Sequence, residues 1–290
     1  MKGGIPKGSY PFGRFGRSPF KIIAQRYIIK GKNMTEYYDI GLNLFCRQFR
    51  EPDRIIADAA AAGVSCILTG SDMKENEAVN SYVQTHDCYG TCGIHPHSAD
   101  RARPEDFDRI REIISGNPKI VAVGECGLDY DRMFSTRENQ LRCFDRHIRI
   151  AEELGKPLFL HERAAAKDFT ARMKKHPEQC RRSVVHCFTG DAETLKAYLD
   201  MGFYIGITGW ICDDRRGGAL RDAVKLIPHD RVMIETDAPY LTPKNVKGLG
   251  NVNVPQNIRY VAAELAKYMK TGEAELTAQI RENTERFFGL

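Results

Sequence analysis

The chain has 290 residues, of which 42% are hydrophobic and 28% charged, a composition that is ordinary for a globular protein. It contains no run of about 18 apolar residues, which argues against a membrane-spanning helix. The net charge of +5 is uneven, because residues 1–33 carry eight basic residues and no acidic one. The rest of the chain therefore carries a net charge of −3, so any basic binding surface there must be local.

The first 33 residues are rich in glycine, arginine and aromatic residues, and Met34 follows them directly. Three interpretations stay open: translation that begins at Met34, a disordered basic arm that contacts phosphates, or a secretory signal whose apolar segment is interrupted by basic residues. Residues 34–290 form the single predicted domain. The nine cysteines include no Cys-x-x-Cys pair, so we expect free thiols in a reduced, cytoplasmic protein.

From Tyr37 onward, short apolar runs alternate with longer amphipathic stretches. Each run is nearly continuous in apolar or β-forming residues, as expected for a strand that is buried on both faces. The eight predicted strands cover residues 38–42, 64–69, 89–94, 120–124, 157–161, 183–188, 203–208 and 232–236.

Helices are predicted over residues 52–62, 136–154, 191–201, 256–269 and 273–287. Gly63, Gly155 and Gly202 end the first three, because glycine readily adopts the left-handed conformation that closes a helix. The alternating pattern predicts a closed (β/α)8 barrel, or TIM barrel, in a chain of suitable length. An open doubly wound sheet is the alternative, but no G-x-G-x-x-G motif follows the first strand.

Ionisable residues recur where the predicted strands end, and barrel enzymes carry their chemistry at that edge. A lone histidine or aspartate there is usually structural, for instance as a helix cap. Five such strand ends would be costly to bury together without a cation. The residues are His95, Glu125, His161, His186 and Asp237.

We therefore predict a divalent cation held by Glu125, His161, His186 and Asp237. Mixed imidazole and carboxylate ligands suit Mg²⁺, Mn²⁺, Zn²⁺ or Fe²⁺. Such a metal can support hydrolysis, with Asp237 as the general base beside water. Arg163 is predicted to bind a phosphate, so Asp237, Glu125 and Arg163 are the candidate catalytic residues.

Six motifs carry a family resemblance: GIHPH, GECGLD, LHER, VHCFTG, GITGW and ETDAPYL. In this order and spacing the chain resembles the TatD family of metal-dependent DNases, from about residue 38 to residue 290. The resemblance implies an amidohydrolase-type barrel, a divalent cation that is often Mg²⁺, and exonuclease activity from the 3′ end. Single-stranded DNA is the implied substrate, with RNA as a second candidate, and DNA repair is a role associated with the family.

The resemblance also assigns roles to single residues. Glu125, His161, His186 and Asp237 match the family's metal ligands. His95, Arg163 and Asn253 match positions that approach the substrate, and His95 also approaches the metal.

Two departures from the family pattern concern the metal. Most members open with D-x-H-x-H-L, whereas Gly41 and Asn43 occupy the two histidine positions here; one branch of the family shares this loss. Gly41 offers no ligand and Asn43 offers at most a weak amide oxygen for a second site. We therefore expect one firmly held cation. No lysine ends the fourth strand, so a carbamate bridge is excluded, and Val254 replaces the acid of the family's N-E-P segment.

Two other functions are weighed against the nuclease. One keeps the barrel but hydrolyses esters or amides, for example as a D-aminoacyl-tRNA deacylase. The other is a non-catalytic quality-control component that has lost a metal site. Arg163 and the cluster Arg215, Arg216, Lys244 and Lys247 favour a phosphate ligand, although such charge runs often lie in solvated loops. We expect a monomer that does not associate with membranes.

Overall fold

The computed structural model describes residues 28–29, 32–33 and 35–290 of the chain. The first two pairs form short antiparallel strands, Ile28–Ile29 and Lys32–Asn33. The chain divides after Met34 into two units, and the second spans Thr35–Leu290. Apart from that short pair, the interpretations of residues 1–33 fall outside the described residues.

Eight parallel strands form the sheet of the second unit. In chain order they are β1 (Tyr37–Leu42), β2 (Val64–Leu68), β3 (Tyr89–Cys92), β4 (Ile120–Asp129), β5 (Leu158–Arg163), β6 (Ser183–Val185), β7 (Tyr204–Ile207) and β8 (Val232–Ile234). Each strand pairs with the next one along the chain. Leu42, which ends β1, also bridges in parallel to Ala238, just beyond β8. The sheet is thus a nearly closed barrel, which confirms the predicted fold and excludes the open sheet.

Helices separate the strands. They are α1 (Pro52–Ala61), α2 (Met73–Thr85), α3 (Pro104–Gly116), α4 (Arg137–Leu154), α5 (Ala166–Met173), α6 (Pro177–Arg181), α7 (Ala192–Asp200), α8 (Gly218–Ala223), α9 (Ile258–Met269) and α10 (Glu273–Phe288). The five predicted helices are confirmed to within two residues at each end. Gly63, Gly155 and Gly202 have φ values of 75°, 62° and 89°, which is the left-handed conformation expected of helix-ending glycines.

One strand is longer than predicted. β4 continues past Gly124 to Asp129, so Glu125 lies within the strand and not at its end. Side chains two and four positions apart on a strand share a face, which puts Glu125 and Asp129 on the same side of β4.

The barrel interior is filled by apolar side chains up to the level of the ionisable residues. This inner cluster includes Ile40, Ile67, Phe159 and Met233, all fully buried. The ring of Phe159 lies 4.6 Å from the ring of His186. The inner core therefore packs directly beneath the candidate site.

All nine cysteines are free thiols, as predicted, and seven of them are buried. Within the described part of the chain, none of the helices has the length and apolar character needed to cross a membrane.

Candidate metal centre

The centre of the site is one carboxylate oxygen, Oε1 of Glu125. It lies 2.8 Å from Nε2 of His186, 3.0 Å from Nδ1 of His161 and 3.2 Å from Nε2 of His95. Glu125 is only 6% exposed. The potential ligand atoms of His95, Glu125 and His161 lie within 4.8 Å of one another, so this cluster could hold a metal ion. His186 contacts Glu125 as well but does not belong to that tighter group.

In two of the three histidines, the ring nitrogen remote from Glu125 contacts a second carboxylate. Nε2 of His161 lies 3.3 Å from Asp129, and Nδ1 of His186 lies 3.3 Å from Glu235. A carboxylate that accepts one ring N–H leaves the other ring nitrogen with its lone pair. In both rings that other nitrogen points at Glu125. The chemistry of this donor set therefore fits a divalent cation bound by Glu125, His161 and His186.

The hydrogen bonds of His95 differ from those of His161 and His186. Its Nδ1 accepts a hydrogen bond from the backbone N–H of His97, at 3.1 Å. A neutral imidazole carries one proton, so Nε2 of His95 must carry it. Burial lowers the pKa of His95 to about 4, against the opposing effect of Glu125, so the ring is neutral near pH 7. In this tautomer His95 presents a hydrogen-bond donor to the site, and it could bind a metal through Nε2 only after losing that proton.

Glu125 and the histidines around it shift one another's pKa values. Burial opposes the ionisation of Glu125, but His95, His186 and His161 together hold its pKa well below the usual value. Burial also opposes protonation of His186, yet Glu125 and Glu235 raise its pKa well above the usual value. The cluster therefore keeps a proton on His186 and a negative charge on Glu125. Binding of a cation would release that proton, since a ligating imidazole must be neutral.

Asp237 lies beside this cluster, just beyond β8. Burial raises its pKa to about 7; the charges of Glu235 and Glu125 add to this effect, and His186 opposes it. Its Oδ1 accepts a hydrogen bond of 2.8 Å from the side-chain amide of Asn43, which also donates to the carbonyl of Ala238 at 3.3 Å. Because both neighbours are acceptors, the nitrogen of the Asn43 amide must face them. In this arrangement the amide oxygen of Asn43 faces away from Asp237, and its role at a second metal stays a prediction.

Sequence reasoning missed Glu235, although ETDAPYL contains it. Glu235 is fully buried and supports His186. A Cβ atom on Gly41 would collide with Oε2 of Glu235, and one on Gly206 would lie 2.8 Å from its Oε1. The glycine at position 41, where most of the family has histidine, thus makes room for this carboxylate. In the sequence, the glycines at positions 41 and 206 on two strands and the acid at the end of β8 were the signal that could have identified Glu235.

Two further predicted residues lie at the edge of the cluster or away from it. Arg163 is two residues beyond His161 on β5, half-exposed, and forms an ion pair of 2.9 Å with Asp131. Asn253 is fully buried: its side chain donates to the carbonyl of Thr236 and accepts from Val254 and Asn257. Asn253 therefore supports the loop after β8, and its burial argues against the substrate contact expected of it.

The backbone is strained where these elements meet the site. Ala164, Cys187 and Asp237 have φ values of 52°, 46° and 52°, in the left-handed region that side chains other than glycine rarely adopt. They lie immediately after β5, near the end of β6 and after β8. Such conformations cost about 1–3 kcal/mol each and persist where the surrounding structure imposes them, often at functional sites.

A buried aspartate links the first strand of the barrel to the last. Asp39 on β1 accepts hydrogen bonds from the backbone N–H of Thr236, at 2.8 Å, and from the Thr236 hydroxyl. Burial raises the pKa of Asp39 to about 7, although the Thr236 hydrogen bonds oppose this rise. A carboxyl whose pKa is raised by folding binds its proton more tightly in the folded state. Its stabilising contribution is complete below its ordinary pKa and is lost as the pH rises through about 7.

We therefore expect the metal-free protein to lose stability between about pH 4 and about pH 7, by at most about 1.4 kcal/mol per pH unit for each such group. Asp39→Asn keeps the shape of the side chain and one acceptor oxygen but cannot ionise, so it should flatten this slope in urea unfolding. Asp191→Asn is the control, because the pKa of that helix-capping carboxyl is lowered and its contribution fades only in acid. Equal slopes for wild type and Asp39→Asn would contradict the assignment.

Barrel and site together define a class: a (β/α)8 hydrolase of the metal-dependent kind, with a His/Glu/His cluster at the carboxyl ends of the strands. The family model described as "TatD related DNase" matches residues 38–289. The chain belongs to this family.

Similar proteins and solved structures carry names of the same family. A protein of Enterobacter lignolyticus named "3'-5' ssDNA/RNA exonuclease TatD" is 41% identical over 258 residues, covering 87% of this chain and 99% of its own. The protein of the same name from Escherichia coli K12 is 38% identical with the same coverage. A crystal structure of YJJV, a TatD homologue from Escherichia coli K12, has a TM-score of 0.80 and 25% identity, covering 88% of this chain and 99% of that chain.

Proposed function

We propose that this chain is a metal-dependent phosphodiesterase that removes nucleotides from the 3′ end of single-stranded DNA and of RNA. One observation carries the proposal: two carboxylate-backed imidazoles converge on a single oxygen of Glu125. Membership of the TatD related DNase family and relatives named as 3′–5′ exonucleases support it. No feature of the described site favours the ester hydrolase or the non-catalytic alternative.

Glu125, His161, His186 and Asp237 are the residues that would hold the cation. We propose Mg²⁺, as the family resemblance implies; a set that mixes hard carboxylates with imidazoles would also accept Mn²⁺ or Zn²⁺. A bound cation of this kind polarises a phosphoryl oxygen and lowers the pKa of water. A single cation fits better than two, since Gly41 offers no ligand and Asn43 presents a donor to Asp237.

The remaining steps fall to side chains of this chain. Asp237 accepts the proton of the attacking water, because a carboxylate beside the cation lies next to the water that the cation activates. His95 donates from Nε2 to a phosphate oxygen. Arg163 exchanges Asp131 for the phosphate, where two N–H donors can stabilise the developing negative charge.

The setting of the protein is part of the proposal. Nine free thiols support a reducing compartment, which we propose is the cytoplasm. The apolar core is complete within one chain, which supports a monomer. Degradation of single strands from the 3′ end would suit a role in DNA repair.

The direct test uses an oligonucleotide labelled at its 5′ end and the purified protein with Mg²⁺. We expect a ladder of products that shortens one nucleotide at a time from the 3′ end, and no products with excess chelator. Blocking the 3′ hydroxyl with a terminal phosphate should slow the reaction, whereas blocking the 5′ end should not. Cleavage of an ester panel without any cleavage of oligonucleotides would refute the proposal.

A further inference from the structure

Large apolar side chains are exposed at only a few places in the described part of the chain. They are Met133, Phe134, Leu226, Tyr240 and Val252, with relative exposures of 47%, 63%, 53%, 49% and 42%. Met133 and Phe134 lie in the loop between β4 and α4, and Tyr240 and Val252 lie in the loop between β8 and α9. Four of the five therefore border the barrel mouth, and only Leu226 does not.

The two loops follow strands on opposite sides of the barrel. The strands of the barrel are paired in chain order, and β1 returns to the segment after β8. In a ring of eight strands, β4 and β8 are four positions apart, so the loops that follow them rise on opposite sides of the mouth. Phe134 and Tyr240 are the exposed aromatic residues of these two loops, which follow the strand that carries Glu125 and the strand that precedes Asp237.

Phe134 is connected to the ionisable cluster. Its ring centroid lies 4.8 Å from that of His97, with the rings nearly perpendicular. Nε2 of His97 is 2.8 Å from the same oxygen of Asp129 that supports His161. A flat group resting on Phe134 would therefore lie at the rim of the metal centre.

The backbone that displays Phe134 is held firmly. Ser135 is 2% exposed; its hydroxyl donates to the carbonyl of His97 at 3.0 Å and accepts from the N–H of Asp100 at 3.1 Å. Gln140 donates to the carbonyl of Ser135 at 2.9 Å. An exposed aromatic ring on a fixed backbone loses little conformational entropy on binding.

Tyr240 is displayed in a comparable way. Its N–H donates to the carbonyl of Asp237 at 2.9 Å, so the turn that carries the proposed general base also carries the ring. The N–H of Asn253 donates to the carbonyl of the neighbouring Pro239, at 2.9 Å. The buried Asn253 thus holds the backbone next to Tyr240 in place.

We propose that Phe134 and Tyr240 are stacking platforms for the two unpaired nucleobases that flank the scissile phosphate. This rests on the proposed nuclease function and explains selectivity for single strands. Two aromatic rings with a charged centre between them match the order base, phosphate, base along a nucleotide chain. Stacking on aromatic side chains accepts any base, because every base has a π-face. Bases within a duplex are stacked on their neighbours and must be extruded before they can occupy such platforms.

The test combines substitutions in the protein with removal of bases from the substrate. Phe134→Ala and Tyr240→Ala should each raise KM about tenfold on a single-stranded oligonucleotide, the size expected for loss of one stacked base. Each substitution should have no further effect when one specific base near the 3′ end is replaced by an abasic residue. The two substitutions should respond to different abasic positions.

Matched variants separate stacking from damage to the fold. Leu226→Ala removes a side chain of similar exposure away from the mouth and should leave KM unchanged, and Tyr240→Phe should retain wild-type KM. A 2-aminopurine base can be placed at the position to which one of the two substitutions responds. Its fluorescence should be quenched when the oligonucleotide is mixed with wild type, before cleavage, but not when it is mixed with the corresponding Phe134→Ala or Tyr240→Ala variant. Equal losses on complete and abasic oligonucleotides would overturn the inference; if Leu226→Ala behaved like the other variants, that would overturn it too. If wild type cleaved no oligonucleotide at all, the proposed function would fail first.

Discussion

Replacing Glu125 by Gln is expected to lower Mg²⁺-dependent hydrolysis of single-stranded DNA by at least about a thousandfold, which corresponds to about 4 kcal/mol in the activation free energy. The amide keeps the shape of the side chain but removes the negative charge on which His95, His161 and His186 converge. A neutral amide oxygen is a much weaker partner for a divalent cation. Initial rates at saturating Mg²⁺, with circular dichroism to confirm folding, measure the effect.

Glu162→Gln is the matched control. Glu162 follows His161 on β5 but points away from it, accepting hydrogen bonds from Tyr198 at 2.6 Å and from the N–H of Ala165 at 2.7 Å. Its substitution should lower the free energy of unfolding while leaving the rate per folded molecule close to that of wild type. If the Glu125 variant kept the wild-type rate, the activity would belong to another site or another protein.

The second large effect is expected from the metal itself. The wild type should bind one Mn²⁺ per chain, and chelation should abolish hydrolysis. Affinity should rise with pH, because the cation must displace the proton that Glu125 and Glu235 retain on His186. Calorimetry at several pH values measures both the stoichiometry and this trend.

Asn43→Ala serves as the control for the metal count. Asn43 donates to Asp237, and we propose that it is not a ligand of the cation, so its loss should leave the stoichiometry at one. Two tightly bound ions in wild type, with one lost in the Asn43 variant, would contradict the assignment.

The barrel could be predicted because eight buried parallel strands leave a simple signal in the sequence. Each is a short apolar run, and glycines such as Gly63 and Gly155 mark the helix ends. The length of β4 is harder to predict, since GECGLD mixes glycines with acids and resembles a turn. Only the structure shows that the strand continues to Asp129, on the same face as Glu125, and so reveals the carboxylate behind His161.

The direction in which polar side chains face could not be predicted. Asn43 offers either an oxygen or a nitrogen, and the choice depends on Asp237 and Ala238, about 195 residues away in the chain. Asn253 matches a family position, yet its burial under the loop after β8 depends on packing that a motif does not record. Exposure of Phe134 is likewise a property of the folded loop.

The most direct test of the central claim is anomalous diffraction from crystals soaked in Mn²⁺. We predict one strong peak bonded to Glu125, His161 and His186, with Asp237 completing the protein ligands. Absence of a peak there in an active preparation, or a single peak bonded only to other residues such as His97 and Asp129, would contradict it.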